Sequence, residues 1–304
     1  MQLLYFLENI RVPILNEFML AVTTLGEETA FLVIALILFW CVDKYIGYYT
    51  LSVGFVGTLA NQFLKLWFRI PRPWVLDKNF TILEQAREAA TGYSFPSGHT
   101  QSAVGTFGCI ACVTKKKAIR VIAIVVAVLV PFSRMYIGVH TPLDVVVSIG
   151  IALLLIFVFR PLVLGNSHKR MPMLLGVMLI LAIGYLCFVE FYAFPEEVMI
   201  SDNYAHGVQN AYTLLGCLIG MLVVYFVDEK WLQFKVNAVW WAQILKVIAG
   251  LVLVLIIKSG TKPLLNMLMG EYCGRMVRYF LVVIFAGIVW PLTFKWFSQL
   301  GKKE

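Results

Sequence analysis

Residues 131–144 run Pro-Phe-Ser-Arg-Met-Tyr-Ile-Gly-Val-His-Thr-Pro-Leu-Asp and join two apolar segments, about 118–133 and 141–159. Those flanks decide the fold class, because apolar segments of such length, repeated along a chain, cross a bilayer as helices. They also isolate Ser133, Arg134, His140 and Asp144 at a membrane edge, where ionisable groups are costly and are kept for a purpose. His140 and Asp144 stand four apart, so a helix beginning at Pro142 lets the carboxylate reach one imidazole nitrogen and leaves the other free. A nucleophilic or basic histidine is oriented in that way. Arg134 lies a short, Gly138-containing loop earlier, and its guanidinium fork suits phosphate or carboxylate, so the expected substrate is an anion.

Outward from this junction the pattern repeats. The 304 residues are 61% hydrophobic and 14% charged, more apolar surface than one soluble core of this length can bury. The expectation is an all-α, polytopic membrane bundle of about nine transmembrane helices, near 29–41, 45–67, 97–113, 118–133, 141–159, 172–194, 207–227, 240–258 and 277–296. Residues 1–27 have apolar positions at helical spacing but are interrupted by Glu8, Arg11, Asn16 and Glu17, and are expected to form one interfacial or re-entrant helix. The first residues lack the basic and apolar regions of a removable signal peptide. Pro71 and Pro73 stop the second span, and the polar residues 74–94 form an extramembrane loop with room for one short surface helix. Three parts follow: the amino-terminal helix, a core over 28–160, and four further spans over 161–304 to which the sequence assigns no role.

The formal charge of +8 does not point to nucleic acid, because the basic residues occupy short loops rather than a stripe with interleaved aromatics. They orient the chain instead. Thirteen basic residues fall on the side of Lys44, including Lys115, Lys116, Lys117 and Arg120, and eleven on the other, with Lys246 unassigned. Setting Lys65, Arg72 and Arg134 aside as site residues leaves thirteen against eight, which makes the Lys44 side cytoplasmic. Cys109 and Cys112 have a C-x-x-C spacing, yet on an apolar helix without partners they are packing residues, and no disulfide framework is expected.

Span parity brings three places to one membrane face: the end of the second span, with Lys65, Arg72 and Pro73; the start of the third, with Pro96, Ser97, Gly98 and His99; and the junction quoted first. A helix opened by Ser-Gly offers backbone N–H groups to an anion. The three parts together resemble the type 2 phosphatidic acid phosphatase superfamily, whose pattern is Lys, six residues, Arg-Pro; then Pro-Ser-Gly-His; then Ser-Arg, five residues, His, three residues, Asp. Eleven positions match in order, over roughly residues 28–160. Many members have six core spans, against five here, with the amino-terminal helix standing in for the sixth.

The resemblance implies a membrane enzyme that hydrolyses a lipid phosphomonoester or diphosphate at the extracytoplasmic surface. Its implied substrates include phosphatidic acid, phosphatidylglycerol phosphate, a sphingoid phosphate or a polyprenyl diphosphate. It implies His140 as the nucleophile that becomes a phosphohistidine, Asp144 as the residue holding its tautomer, and His99 as the acid and then the base. Lys65, Arg72 and Arg134 are implied as a phosphate clamp, with Ser97 and Gly98 adding hydrogen bonds. The family needs no metal or other cofactor, and the sequence shows no clustered carboxylates of the kind a metal site uses. Two alternatives stay open: a phosphotransferase using the same intermediate, and a non-enzymatic lipid transporter.

Outside these motifs, Arg69 is expected at the surface or at a headgroup, His168 in a cytoplasmic loop and His206 in a solvated loop. Lys246 and Lys258 are expected to snorkel from the eighth span. Tyr93 and Phe95 are expected either to flank the pocket or to staple the entry of the helix that follows.

Overall fold

The computed structural model describes residues 1–87, 90, 92–165 and 170–301. Glu88, His168, Lys169, Lys302 and Lys303, to which the sequence assigned loop positions or charges, lie outside the described residues. All regular elements among the described residues are helical. The chain divides into two compact units, one of Met1–Ile34, Tyr49–Pro161 and Pro195–Gly207, the other of Ala35–Tyr48, Leu162–Phe194 and Val208–Glu304.

The first unit begins with two helices where one was expected, α1 (Gln2–Asn9) and α2 (Pro13–Thr24). Pro13 forces the break, since Val12 before it is extended (φ −134°, ψ 150°). Both helices serve the loop after the second expected span. Leu4 packs with Phe80 and Ile82, Tyr5 donates to Asp77 (2.8 Å), and the Arg11 guanidinium donates to the carbonyls of Thr81 (2.9 Å) and Tyr136 (3.0 Å). Next come α3 (Glu28–Ile37), α4 (Lys44–Phe68) and the one-turn α5 (Pro73–Leu76), with a 3₁₀ turn at Glu84–Ala86. Thus the polar loop holds two short helical turns rather than one, and Leu83 N–H to Ile137 O (3.1 Å) and Ser94 N–H to Ile70 O (2.8 Å) tie it down.

Helices α6 (Gly98–Val113), α7 (Lys117–Tyr136) and α8 (Pro142–Val163) complete the core, with Val22, Ala103 and Val130 joining α2, α6 and α7 in one apolar cluster. Lys115, Lys116 and Lys117 stand at the end of α6 and α7 opposite to His99 and Arg134.

The second unit contains α9 (Met171–Phe191). Helix α10 (Glu196–Met199), which belongs to the first unit, leads to α11 (Asp202–Val227). Ser201 Oγ accepts from Tyr204 N–H (3.3 Å) and caps α11 earlier than expected. That places His206 exposed on a helix and not in a loop. Helix α12 (Trp240–Ile284) is two legs broken at Gly270 (φ 76°, ψ 174°). The legs run back along each other: a Cβ on Gly274 would meet Leu265 O at 2.7 Å, and Lys258 Nζ lies 5.8 Å from the Tyr279 ring centre. Short α13 (Phe294–Phe297) closes the chain.

Lys246 departs from the sequence expectation. It is 1% exposed, donates to the carbonyls of Trp40 (2.8 Å) and Val236 (3.1 Å), and lies 4.3 Å from the Phe294 ring centre. Residues 38–42 are wound as a π turn and 233–239 are not helical, so carbonyls are available there that a regular helix would have used. The ammonium is therefore buried among acceptors instead of snorkelling. Lys258 is exposed.

Five helices among the described residues are long and apolar enough to cross a membrane, or six if α2 and α3, bent by 54°, form one broken span. The expected count of nine is not reached by that measure. One reason is that both legs of α12 form one continuous segment. A second is that α6 has only 16 residues, while α4 is diluted by polar residues such as Asn61, Gln62 and Lys65.

Candidate active site

The stretch 131–144 folds into two reciprocal caps with His140 between them. At the end of α7, Gly138 N–H donates to Met135 O (3.1 Å) and Val139 N–H to Arg134 O (3.2 Å), the paired bonds of a Schellman motif. This turn needs Gly138 twice over: its φ is +88°, and a Cβ would come within 2.9 Å of Arg11 Nη2 and 3.0 Å of Phe80. At the start of α8, Asp144 N–H donates to Thr141 Oγ1 (3.3 Å) while Thr141 N–H donates to Asp144 Oδ2 (2.8 Å), a capping box with aspartate in place of glutamate. The carboxylate is thereby fixed one turn from His140.

Three donors converge on Asp144 Oδ2: Thr141 N–H, Ser94 Oγ at 2.5 Å and His140 Nδ1 at 3.3 Å. On the other side of the ring, His140 Nε2 stands 2.9 Å from Arg72 Nη1. A guanidinium can only donate, so Nε2 presents its lone pair and Nδ1 carries the proton toward Asp144. His140 is 2% exposed. Burial, and after it the charges of Arg72, Arg134 and Lys65, hold the imidazole well below its usual range and hence neutral.

The cations come from three elements. Lys65, near the end of α4, donates to Tyr93 O; Arg72 donates from Nε to Gly92 O (3.0 Å) and from Nη1 to Val139 O (2.9 Å); Arg134, in the last turn of α7, donates to Thr23 Oγ1 (2.7 Å). All three are buried, Arg134 leaving Nε without a partner. Burial pulls the Arg72 guanidinium down to about 10, with Asp144 opposing. Three buried cations near one another favour an anion between them.

Helix α6 supplies the remaining members. Ser97 is its N-cap, accepting from Thr100 N–H (3.4 Å), and its own N–H donates to Asp144 O (3.2 Å), which joins the start of α6 to the start of α8. The first-turn N–H groups of Gly98 and His99 have no helical acceptor and are available to an anion. His99 is half-buried and within the electrostatic reach of Arg134, Arg72 and Lys65. All eight residues singled out in the sequence thus lie in the first unit, linked through Arg72, His140, Asp144 and Ser97. Arg69 is half-buried with φ +52°, in the left-handed turn that ends α4, away from the hydrogen bonds that join the cluster. Phe95 packs edge-on against Phe68 (5.3 Å).

Sequence reasoning missed Ser94, Thr23 and Thr141. Thr141 was detectable, since Thr-Pro-x-Asp is a helix-start pattern. Ser94 and Thr23 carry no signal of their own. Among the described residues no group of three or more His, Cys, Asp or Glu is placed to hold a metal ion.

A neutral histidine held between a carboxylate and a buried cluster of cations is compatible with attack on an anionic substrate. Comparison with known proteins makes this specific. Residues 44–168 match the PAP2 superfamily, and residues 212–303 match the transmembrane extension of PAP2 superfamily phosphatases, a region to which the sequence alone assigned no role. The chain is 34% identical over 164 residues to phosphatidylglycerophosphatase B of Bacillus subtilis (strain 168), covering 50% of this chain and 76% of that protein. It is 32% identical over 106 residues to undecaprenyl-diphosphatase BcrC of the same organism, covering 35% of this chain and 52% of the relative. It is 33% identical over 138 residues to an undecaprenyl-diphosphatase of Sulfolobus acidocaldarius, covering 45% of this chain and 65% of the relative. No solved structure matches. The chain belongs to the PAP2 superfamily and is a multi-pass membrane phosphatase of that family.

Proposed function

We propose that this phosphatase hydrolyses a lipid phosphomonoester or diphosphate at the extracytoplasmic face, through a phosphohistidine on His140. The observation that carries the reading is the His140 ring, with its proton directed to Asp144 and its lone pair directed into the cationic cluster. In the first step Nε2 bonds to phosphorus, the bond to the lipid oxygen breaks, and His99 delivers a proton to that oxygen. In the second, water gives its proton to His99 and attacks phosphorus, and the electron pair of the P–N bond returns to Nε2. Lys65, Arg72, Arg134 and the first-turn amides of α6 neutralise the charge on the equatorial oxygens throughout.

A hydrocarbon tail has a place beside this site. A groove of about 750 Å³ runs along α6, α7 and α8, lined by residues such as Val104, Val128, Met135, Val145 and Leu153, and reaches Pro142, two residues from His140. A groove of this size and apolar lining suits a hydrocarbon chain, which favours a lipid over a soluble phosphate ester. The names of the relatives, which include a phosphatidylglycerophosphatase, undecaprenyl-diphosphatases and a probable sphingosine-1-phosphate phosphatase, support a lipid phosphate as the substrate class. The outward orientation rests on the basic residues Lys115, Lys116, Lys117 and Arg120 at the other end of α6 and α7.

Phosphate release by the purified protein over a lipid panel, with and without acceptor lipids, tests the reading. His140→Ala loses every substrate. His99→Ala slows a lipid substrate, whose alkoxide needs a proton, by roughly 100- to 10,000-fold. The same variant releases a first nitrophenolate rapidly from an aryl phosphate and then turns over slowly. Equal losses on both substrates without a burst refute the acid role, and a His140→Ala protein that still hydrolyses lipid phosphate refutes the mechanism.

A further inference from the structure

One turn before Lys65 on the same face of α4 lies Asn61, 2% exposed, with neither amide atom hydrogen-bonded among the described residues. It faces the start of α6: a Cβ on Gly98 would lie 3.8 Å from Asn61 Oδ1, with nothing nearer. One turn deeper along the same seam, Gln101 is 3% exposed and Thr100 fully buried; both atoms of the Gln101 amide and the Thr100 hydroxyl are also unpartnered. Gly57 makes room for the glutamine, since a Cβ there would come within 2.3 Å of its Nε2. Unpaired buried amides destabilise a fold, and in a membrane bundle they usually pair across helices as an adhesive. These do not pair. They lie along the seam between α4 and the start of α6, Asn61 beside Gly98 and Gln101 beside Gly57.

We propose that Asn61 belongs to the phosphate site, its amide donating to an oxygen of the bound phosphoryl group, with Gln101 steadying it from the next turn. This rests on the phosphatase reading of the same site. A half-turn about χ2 exchanges Oδ1 and Nδ2 and brings the donor to the Gly98 side. A neutral donor suits this wall, because Lys65, Arg72 and Arg134 are already buried and a fourth cation would repel them. The anion satisfies the amide, which explains why the polar group persists at a buried position.

Vanadate, which mimics the transferring phosphoryl group, is the probe, used with the full chain in detergent micelles or lipid nanodiscs. Asn61→Ala weakens inhibition by vanadate roughly 10- to 100-fold, the range for a hydrogen bond to a charged group, without lowering the melting temperature. Asn61→Asp weakens it further, and lowering the pH restores part of the affinity as the new carboxyl takes up a proton. That pH dependence is a response a purely structural residue would not give. If Asn61→Ala fails to fold, the isosteric Asn61→Asp carries the test alone. Wild-type inhibition in both variants, or in Asn61→Asp alone when the alanine variant does not fold, overturns the proposal. A wild-type protein insensitive to vanadate overturns the phosphohistidine reading of the site, and this inference with it.

Discussion

Replacing Asp144 with Asn removes a charge while keeping shape, and the geometry separates the chemical from the structural consequence. In the native site, Oδ2 accepts from Thr141 N–H (2.8 Å), Ser94 Oγ (2.5 Å) and His140 Nδ1 (3.3 Å). The amide oxygen that Asp144→Asn leaves in that place can still accept from Thr141 and Ser94, so the capping box survives, and the loss of stability comes from the charge no longer opposing buried Arg72. His140 then faces either an amide donor or an acceptor already shared, and the Nδ1–H tautomer loses its support. A charge-assisted bond is worth about 1.5–3 kcal/mol, or roughly 10- to 150-fold in rate, and the wrong tautomer takes the loss toward about 10,000-fold. Single-turnover release of a nitrophenolate isolates the attack step, and thermal unfolding reports the cap. Asp144→Ala, by contrast, loses both, with an added destabilisation of about 0.5–2 kcal/mol. An Asp144→Asn enzyme within a few-fold of wild-type attack rate would refute the orienting role.

Vanadate inhibits the wild-type enzyme and chelators do not; activity abolished by a chelator and restored by magnesium would contradict a reaction run by these side chains alone. In a cysteine-free background, Lys78→Cys is labelled from outside intact cells and Lys116→Cys is not; the reverse pattern places the chemistry in the cytoplasm. Since the folded state keeps His140 neutral, the unfolded chain binds a proton below about pH 6.5 that the folded site refuses. Stability therefore rises with pH through that window and falls on acidification, by up to about 1.4 kcal/mol per pH unit, and His140→Asn flattens the dependence of melting temperature on pH between about 5 and 6.5.

The chemical core was legible because its motifs are local. Lys65 and Arg72 sit just before and after the end of α4, Pro96 to His99 opens α6, and the two caps around His140 are built from residues 134–144. Spacing alone can therefore place them. Contacts across the fold could not be seen that way: Thr23 meets Arg134 from 111 residues away, and Ser94 meets Asp144 from 50. The number of spans depends on the measure for a related reason. Hydropathy measures contact with lipid, whereas α4 and α6 turn polar residues inward, and Lys246 is held by carbonyls that only an irregular turn exposes.

The contact between Arg72 and His140 bears on how the resting site is kept ready. With Nη1 at 2.9 Å from Nε2, the lone pair meant for phosphorus is occupied, and Val139 O and Gly92 O hold the same guanidinium. A phosphate entering between Lys65, Arg134 and the start of α6 presents oxygens that a guanidinium binds better than an imidazole nitrogen, because both partners are charged. On the proposed mechanism Arg72 exchanges that acceptor for a phosphate oxygen while Nε stays on Gly92 O, releasing Nε2 as it binds substrate. In that mechanism the phosphoryl group itself frees Nε2; in the resting structure the imidazole is hydrogen-bonded on both nitrogens in a site with little access to water.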